Sequence, residues 1–74
     1  MKRNTYYKRP TFDSIYIFPK GSTNGSSLYP NGKWGCYPWT LEEILGFDHL
    51  PAVRISRKEA EKHIGRKVFR ANVI

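Results

Sequence analysis

The sequence has one cysteine, Cys36, in 74 residues. A disulfide within the chain is therefore excluded. A small domain without such a staple suits a reducing compartment. Long apolar runs are missing too. No stretch approaches the roughly 20 apolar residues of a membrane-spanning helix or the apolar core of a secretory leader. Cytoplasmic localisation with no membrane association is the expectation. Acidic residues are scarce: Asp and Glu number 6 against 13 Lys and Arg, for a net charge of +7. That excess points to an anionic partner, either a polyanion or an acidic protein face.

Paired metal ligands are also absent. Cys36, His49 and His63 are scattered, with no Cys-x2-Cys or His-x3-His spacing. No metal or cofactor is expected. Cys36 is read as a small packed side chain, His49 as a connector residue and His63 as part of a solvated helix face. Gly21 and Gly25 flank no Gly-Lys-Ser/Thr, so a phosphate-binding P-loop is excluded.

What the chain does have is charge at its two ends. Residues 1–9 carry Lys2, Arg3, Lys8 and Arg9 with no acid, a charge of +4. Residues 54–70 carry Arg54, Arg57, Lys58, Lys62, Arg66, Lys67 and Arg70 against Glu59 and Glu61, a charge of +5. Between them Lys20 and Lys33 face Asp13, Glu42, Glu43 and Asp48, a charge of −2. Tyr6 and Tyr7 lie among the first group of cations. Rings beside cations can stack on bases while the cations hold phosphates. The competing reading packs both tyrosines inward at the start of a strand. The basic residues of both ends, with Tyr6 and Tyr7, form the expected partner-binding set.

Apolar content is 39% and charged content 26%, which places the chain among globular domains. Residues 1–10 are expected to be a flexible basic arm, and residues 11–74 a single small domain. Ile15-Tyr16-Ile17-Phe18 predicts a strand, apolar on both faces. Residues 20–27 read as a loop by composition. Tyr29-Pro30-Asn31-Gly32 predicts a turn, with Leu28-Tyr29 and residues 33–37 as hairpin arms. Thr40 with Glu43 makes a capping box for a short helix that Gly46 stops, and Trp39 with Ile44 fits a hydrophobic staple. Residues 47–53 read as a connector. Ser56 with Glu59 opens a second helix, closed by Gly65. Residues 66–74 read as a final strand with Phe69, Ala71 and Val73 on one face. The predicted class is α+β: a small antiparallel sheet with two short helices and the arm.

Catalytic constellations are not apparent. Cys36 with His49 or His63 could be drawn as a dyad, but a dyad needs an orienting third group and a concave pocket, which a domain this small can barely wall off. Glu42 and Glu43 point about 100° apart on a helix, so they do not face one another as paired carboxylates. No enzyme activity is expected. A helix-turn-helix is disfavoured because about ten residues separate the two predicted helices, where the motif has a turn of about 3–4. RNA-binding signatures are missing, so base-specific readout has no support and charge-led contact remains.

With its length, its Lys2-Arg3 to Lys8-Arg9 arm and its basic segment from Arg54 to Arg70, the chain resembles the small regulators that lytic phages direct at host RNA polymerase. One such regulator, from a Xanthomonas phage, blocks initiation and suppresses termination near the RNA exit channel. The resemblance implies a non-enzymatic, monomeric regulator in a bacterial cytoplasm. It would bind RNA polymerase, with possible nucleic-acid contact, and modulate initiation or termination. Two alternatives stand beside it: a nucleic-acid-binding module acting alone, and a phage inhibitor of another host system such as CRISPR.

Overall fold

The computed structural model describes residues 4–73. Strands β1 (Thr5–Lys8), β2 (Ile15–Phe18), β3 (Asn24–Leu28), β4 (Trp39–Thr40) and β5 (Val53–Ile55) form one sheet. Helices α1 (Leu41–Leu45), α2 (Arg57–Ile64) and α3 (Arg66–Asn72) complete the fold. Strand order is β4-β3-β2-β1-β5, and every pairing is antiparallel. The class is α+β, as the sequence predicts.

The all-apolar β2 explains the layering. Successive strand side chains point to opposite faces, and every residue of β2 is buried. Ile15 and Ile17 pack with Tyr6, Leu28, Ala60, Ile64, Phe69 and Val73 beneath α2 and α3. Tyr16 and Phe18 pack on the other face with Ile44 and Ala52, under α1 and the segment that follows it. The sheet is therefore covered on both sides.

Both predicted capping boxes are present. The Thr40 hydroxyl accepts from the Glu43 N–H, and the Ser56 hydroxyl accepts from the Glu59 N–H, each at 3.1 Å. In each case the glutamate reaches back to the cap N–H. Trp39 and Ile44 belong to the same core, as the staple predicts. The hairpin turn also forms, with the Gly32 N–H donating to the Tyr29 carbonyl. Its arms are joined by the Tyr29 N–H donating to the Lys33 carbonyl, a bridge between Leu28 and Trp34, and the Gly35 N–H donating to the Ser27 carbonyl.

Four expectations need correction. First, residues 5–8 of the expected arm are strand β1, hydrogen-bonded on one side to β2 and on the other to β5. Tyr6 is 4% exposed and supplies a ring to the core, and that burial outweighs the charge around it. Lys2 and Arg3 lie outside the described residues. Second, residues 24–28 of the expected loop are strand β3. The small Gly25 lets Phe18 close on the backbone, since a Cβ there would sit 2.7 Å from the ring.

Third, the expected connector contributes β5 from Val53. Fourth, the expected last strand is helix α3. The spacing of Phe69 and Val73 suits a helix as well as a strand, and short apolar runs do not distinguish the two. Gly65, at φ 104°, ends α2 and turns the chain directly into α3. Both Phe69 and Val73 then reach the core one helical turn apart. Among the described residues there are thus three helices instead of two.

Candidate polyanion-binding interface

The α2–α3 layer carries the site. A helix that covers a sheet buries one stripe and presents the remainder to solvent. Ala60, Ile64 and Phe69 are the buried residues of α2 and α3. Arg57, Lys58, Lys62, Arg66, Lys67 and Arg70 are all exposed. Six cations therefore share this layer with two carboxylates, Glu59 and Glu61. The layer on the opposite face, residues 41–52, carries Glu42, Glu43 and Asp48 with no Lys or Arg. Arg9 and Arg54 also lie on that side, so its charge is mixed, and the excess of positive charge falls on the α2–α3 layer.

Glu61 organises the basic face. Its Oε2 lies 3.3 Å from Arg57 Nε, and its Oε1 lies 3.4 Å from Arg70 Nε and 3.9 Å from Arg66 Nε. The Glu61 side chain is 15% exposed, against 48%, 61% and 75% for Arg57, Arg70 and Arg66. One shielded carboxylate thus draws three solvated guanidiniums from two helices together. Only the Arg57–Glu61 pair was legible in the sequence, as an i,i+4 spacing. Arg66 and Arg70 join it because residues 66–72 are helical. Lys58 and Lys67 make no ion pair among the described residues.

The other expected partner-binding residues are distributed differently. Tyr6 packs at a tilt against Phe69, with ring centroids 5.6 Å apart, and Tyr7 packs edge-on to Phe18 at 5.7 Å. Neither is a stacking platform for bases. Arg54 pairs opposite Tyr7 in β5, so strand alternation turns its side chain to the face away from α2 and α3. Lys8 lies close to Lys62 and His63 at the β1–β5 side of the sheet, and its Nζ donates to the carbonyls of Arg9 and Pro10.

Arg9 is a structural residue. Its guanidinium lies 4.1 Å from the Phe12 ring centroid and 4.0 Å from that of Phe47. Nε donates to the Leu50 carbonyl at 2.8 Å and Nη2 to the His49 carbonyl at 2.6 Å. Leu50 has φ 52°, a region that a branched side chain enters only when its surroundings hold it there. Arg9 fixes that segment over the second core. Arg9→Ala is expected to lower stability by about 2 kcal/mol, from two cation–π contacts and two charged hydrogen bonds at a partly open site. Urea denaturation with an unchanged m-value checks this.

Burial raises the Tyr16 hydroxyl above its usual pKa, and the nearby Arg9 charge opposes that rise. Beside α1, the Tyr37 hydroxyl donates to Glu43 Oε2 at 2.9 Å. The Thr40 N–H, then the Tyr37 and Thr40 hydroxyls, hold the Glu43 carboxyl below its usual range. A depressed folded-state pKa contributes stability that is present above the unfolded value and is lost as pH falls through the folded one. The Glu43 contribution to α1 is therefore expected to be complete near neutral pH and to fade below about pH 4.5. Glu43→Gln, which keeps a cap at this position, should flatten that acid limb in melting curves taken against pH.

Three further readings change or fill out. Cys36 is exposed, not packed. His63 is not simply solvated: its Nε2 is 2.6 Å from the Asp13 carbonyl, tying α2 to the β1–β2 connection. Among the described aromatic rings Phe12, Tyr29, Trp34 and Tyr37 are exposed, the last three in the segment after β3. Composition alone marks them as aromatic and does not say which rings the small core has room to take. Among the described residues, no three His, Cys, Asp or Glu side chains assemble as a metal cluster, and no helix is long and apolar enough to cross a membrane. The chain matches no family model, no curated protein and no solved structure.

Proposed function

We propose that the protein is a non-enzymatic regulator that docks its α2–α3 face on a large nucleic-acid-bearing assembly, with bacterial RNA polymerase as the favoured target. The observation that supports this reading is the one-sided placement of Arg57, Lys58, Lys62, Arg66, Lys67 and Arg70 on a single layer, while Glu42, Glu43 and Asp48 lie on the opposite one. A surface of this kind steers a small protein onto phosphate or carboxylate without selecting a base sequence. The opposite side, where Glu42, Glu43 and Asp48 lie with Arg9 and Arg54, has no such excess of positive charge and favours binding through the α2–α3 layer.

RNA polymerase enters through the resemblance to phage regulators. It offers an emerging transcript and charged protein surface together. The role remains that of a monomer in a bacterial cytoplasm, modulating initiation or termination, and no cofactor is required. The experiment is a purified transcription assay with bacterial RNA polymerase and a template carrying a terminator. Micromolar protein is expected to alter initiation or terminator read-through. An unchanged transcript pattern across that range would rule out the polymerase reading.

A further inference from the structure

We infer that Glu61 is a positioning residue that arrays Arg57, Arg66 and Arg70 to grip the phosphodiester backbone of a nucleic-acid duplex. This rests on the reading of the α2–α3 layer as the docking face and specifies what that face holds. The argument begins with how the arginines are used. A guanidinium presents five donors in a planar fork. Each of the three meets Glu61 with Nε as its nearest nitrogen, so the far amino edge of the fork remains for another acceptor. Their exposures of 48% to 75% leave those edges open to solvent.

Long cationic side chains ordinarily lose rotamer freedom when they bind, at a cost of about 0.5–1.5 kcal/mol each. A carboxylate that already restrains three of them removes part of that cost. Arginine forks match phosphate oxygens in a planar, two-point geometry, which a lysine ammonium cannot reproduce.

The choice of duplex follows from what the face lacks. Binding of single strands relies on exposed aromatic rings on which bases stack. Phe69 is the one aromatic ring in α2 and α3 apart from the His63 imidazole, and it is 0% exposed. His63 is held by the Asp13 carbonyl. Tyr6 is buried beneath Phe69. Of the exposed rings Phe12, Tyr29, Trp34 and Tyr37, none lines the hollow between Lys58, Glu61, Lys62 and Arg66; Trp34 lies beside Asn72 and Val73, at the C-terminal end of α3. A cluster of cations with no free ring beside it reads backbone position alone, and a duplex supplies phosphates at fixed spacing.

The test is fluorescence anisotropy at several salt concentrations with a labelled 20-base-pair DNA duplex, the matching RNA duplex and each single strand. Wild type is compared with Glu61→Gln, Glu61→Asp and Glu59→Gln. Glu61→Gln and Glu59→Gln change net charge identically, and glutamine at residue 59 retains the capping box. If charge alone mattered, both would bind more tightly. The expected result is that Glu59→Gln binds at least as well as wild type, while Glu61→Gln binds about tenfold more weakly, the equivalent of about one charged hydrogen bond. Its log–log salt slope should fall by about 0.9 for each phosphate that the variant no longer neutralises.

Glu61→Asp keeps the charge but shortens the reach, and is expected to weaken binding in the same direction. It decides the matter if Glu61→Gln melts early. Duplex should bind at least tenfold more tightly than single strands. A preference between the two duplexes would identify which nucleic acid is the source. The inference is overturned if Glu61→Gln binds as tightly as Glu59→Gln, if a folded Glu61→Asp matches wild type, if single strands bind as well as duplex, or if no duplex binds at low salt. The underlying reading fails separately, if Lys58→Glu with Lys67→Glu leaves every interaction of the α2–α3 face unchanged.

Discussion

Phe69→Ala is expected to leave most of the protein unfolded at 37 °C. Phe69 is 0% exposed and is one of the largest fully buried side chains. It packs against Tyr6 from β1 and lies in the same cluster as Ile15, Ile17 and Leu28 of the sheet and Ala60 and Ile64 of α2. Truncating a buried phenylalanine costs about 3–5 kcal/mol, from the forfeited transfer energy and the cavity left behind. A domain of this length has net stability on the order of 3–5 kcal/mol. The two magnitudes are equal, so the native state has little margin left. Circular dichroism melting should show a transition lowered by tens of degrees or none at all. A melting temperature within a few degrees of wild type would mean that α3 does not hold the first core together.

Local signals in this chain were legible where the chemistry is local. Thr40 with Glu43 and Ser56 with Glu59 marked two helix starts correctly, because a capping box is satisfied within four residues. Ile15 to Phe18 read as a strand with both faces apolar, and it is the strand buried on both faces. Errors arose where distant contacts decide. Asn24 to Leu28 has the composition of a loop, yet it completes the ladder of β2 because its small residues let Phe18 approach. Arg66 to Asn72 fits two periodicities, and packing of Phe69 and Val73 against the sheet selects the helix.

The site follows the same rule. That residues 54–70 are basic was plain, but the grouping of Arg57, Arg66 and Arg70 about Glu61 needs α3 to be helical and packed beside α2. The N-terminal cations looked equivalent to them in sequence. In the fold Arg9 is committed to Phe12, Phe47 and the carbonyls of His49 and Leu50, and so supports structure.

Charge reversal should separate these two classes of cation. Lys58→Glu with Lys67→Glu is expected to leave the fold intact, since both side chains are exposed and make no ion pair among the described residues. Surface changes of this kind usually shift stability by no more than about 0.5 kcal/mol. Binding should respond strongly, because two attractions become two repulsions on the docking face. The expected loss of affinity for an anionic partner is on the order of 100-fold at low salt, narrowing as salt screens the interaction. Arg9→Glu should do the reverse: it lowers the melting temperature, and any loss of binding follows the loss of fold.

The most direct measurement is the dissociation constant of wild type and the Lys58→Glu, Lys67→Glu variant for a reconstituted bacterial RNA polymerase elongation complex, taken across salt concentration. Docking through the α2–α3 face predicts tight, salt-sensitive binding of wild type and a variant that is weaker by on the order of 100-fold at low salt, with a shallower log–log slope. Equal affinities and equal slopes for the two folded proteins would contradict the account, because the basic face would then contribute nothing to the interaction.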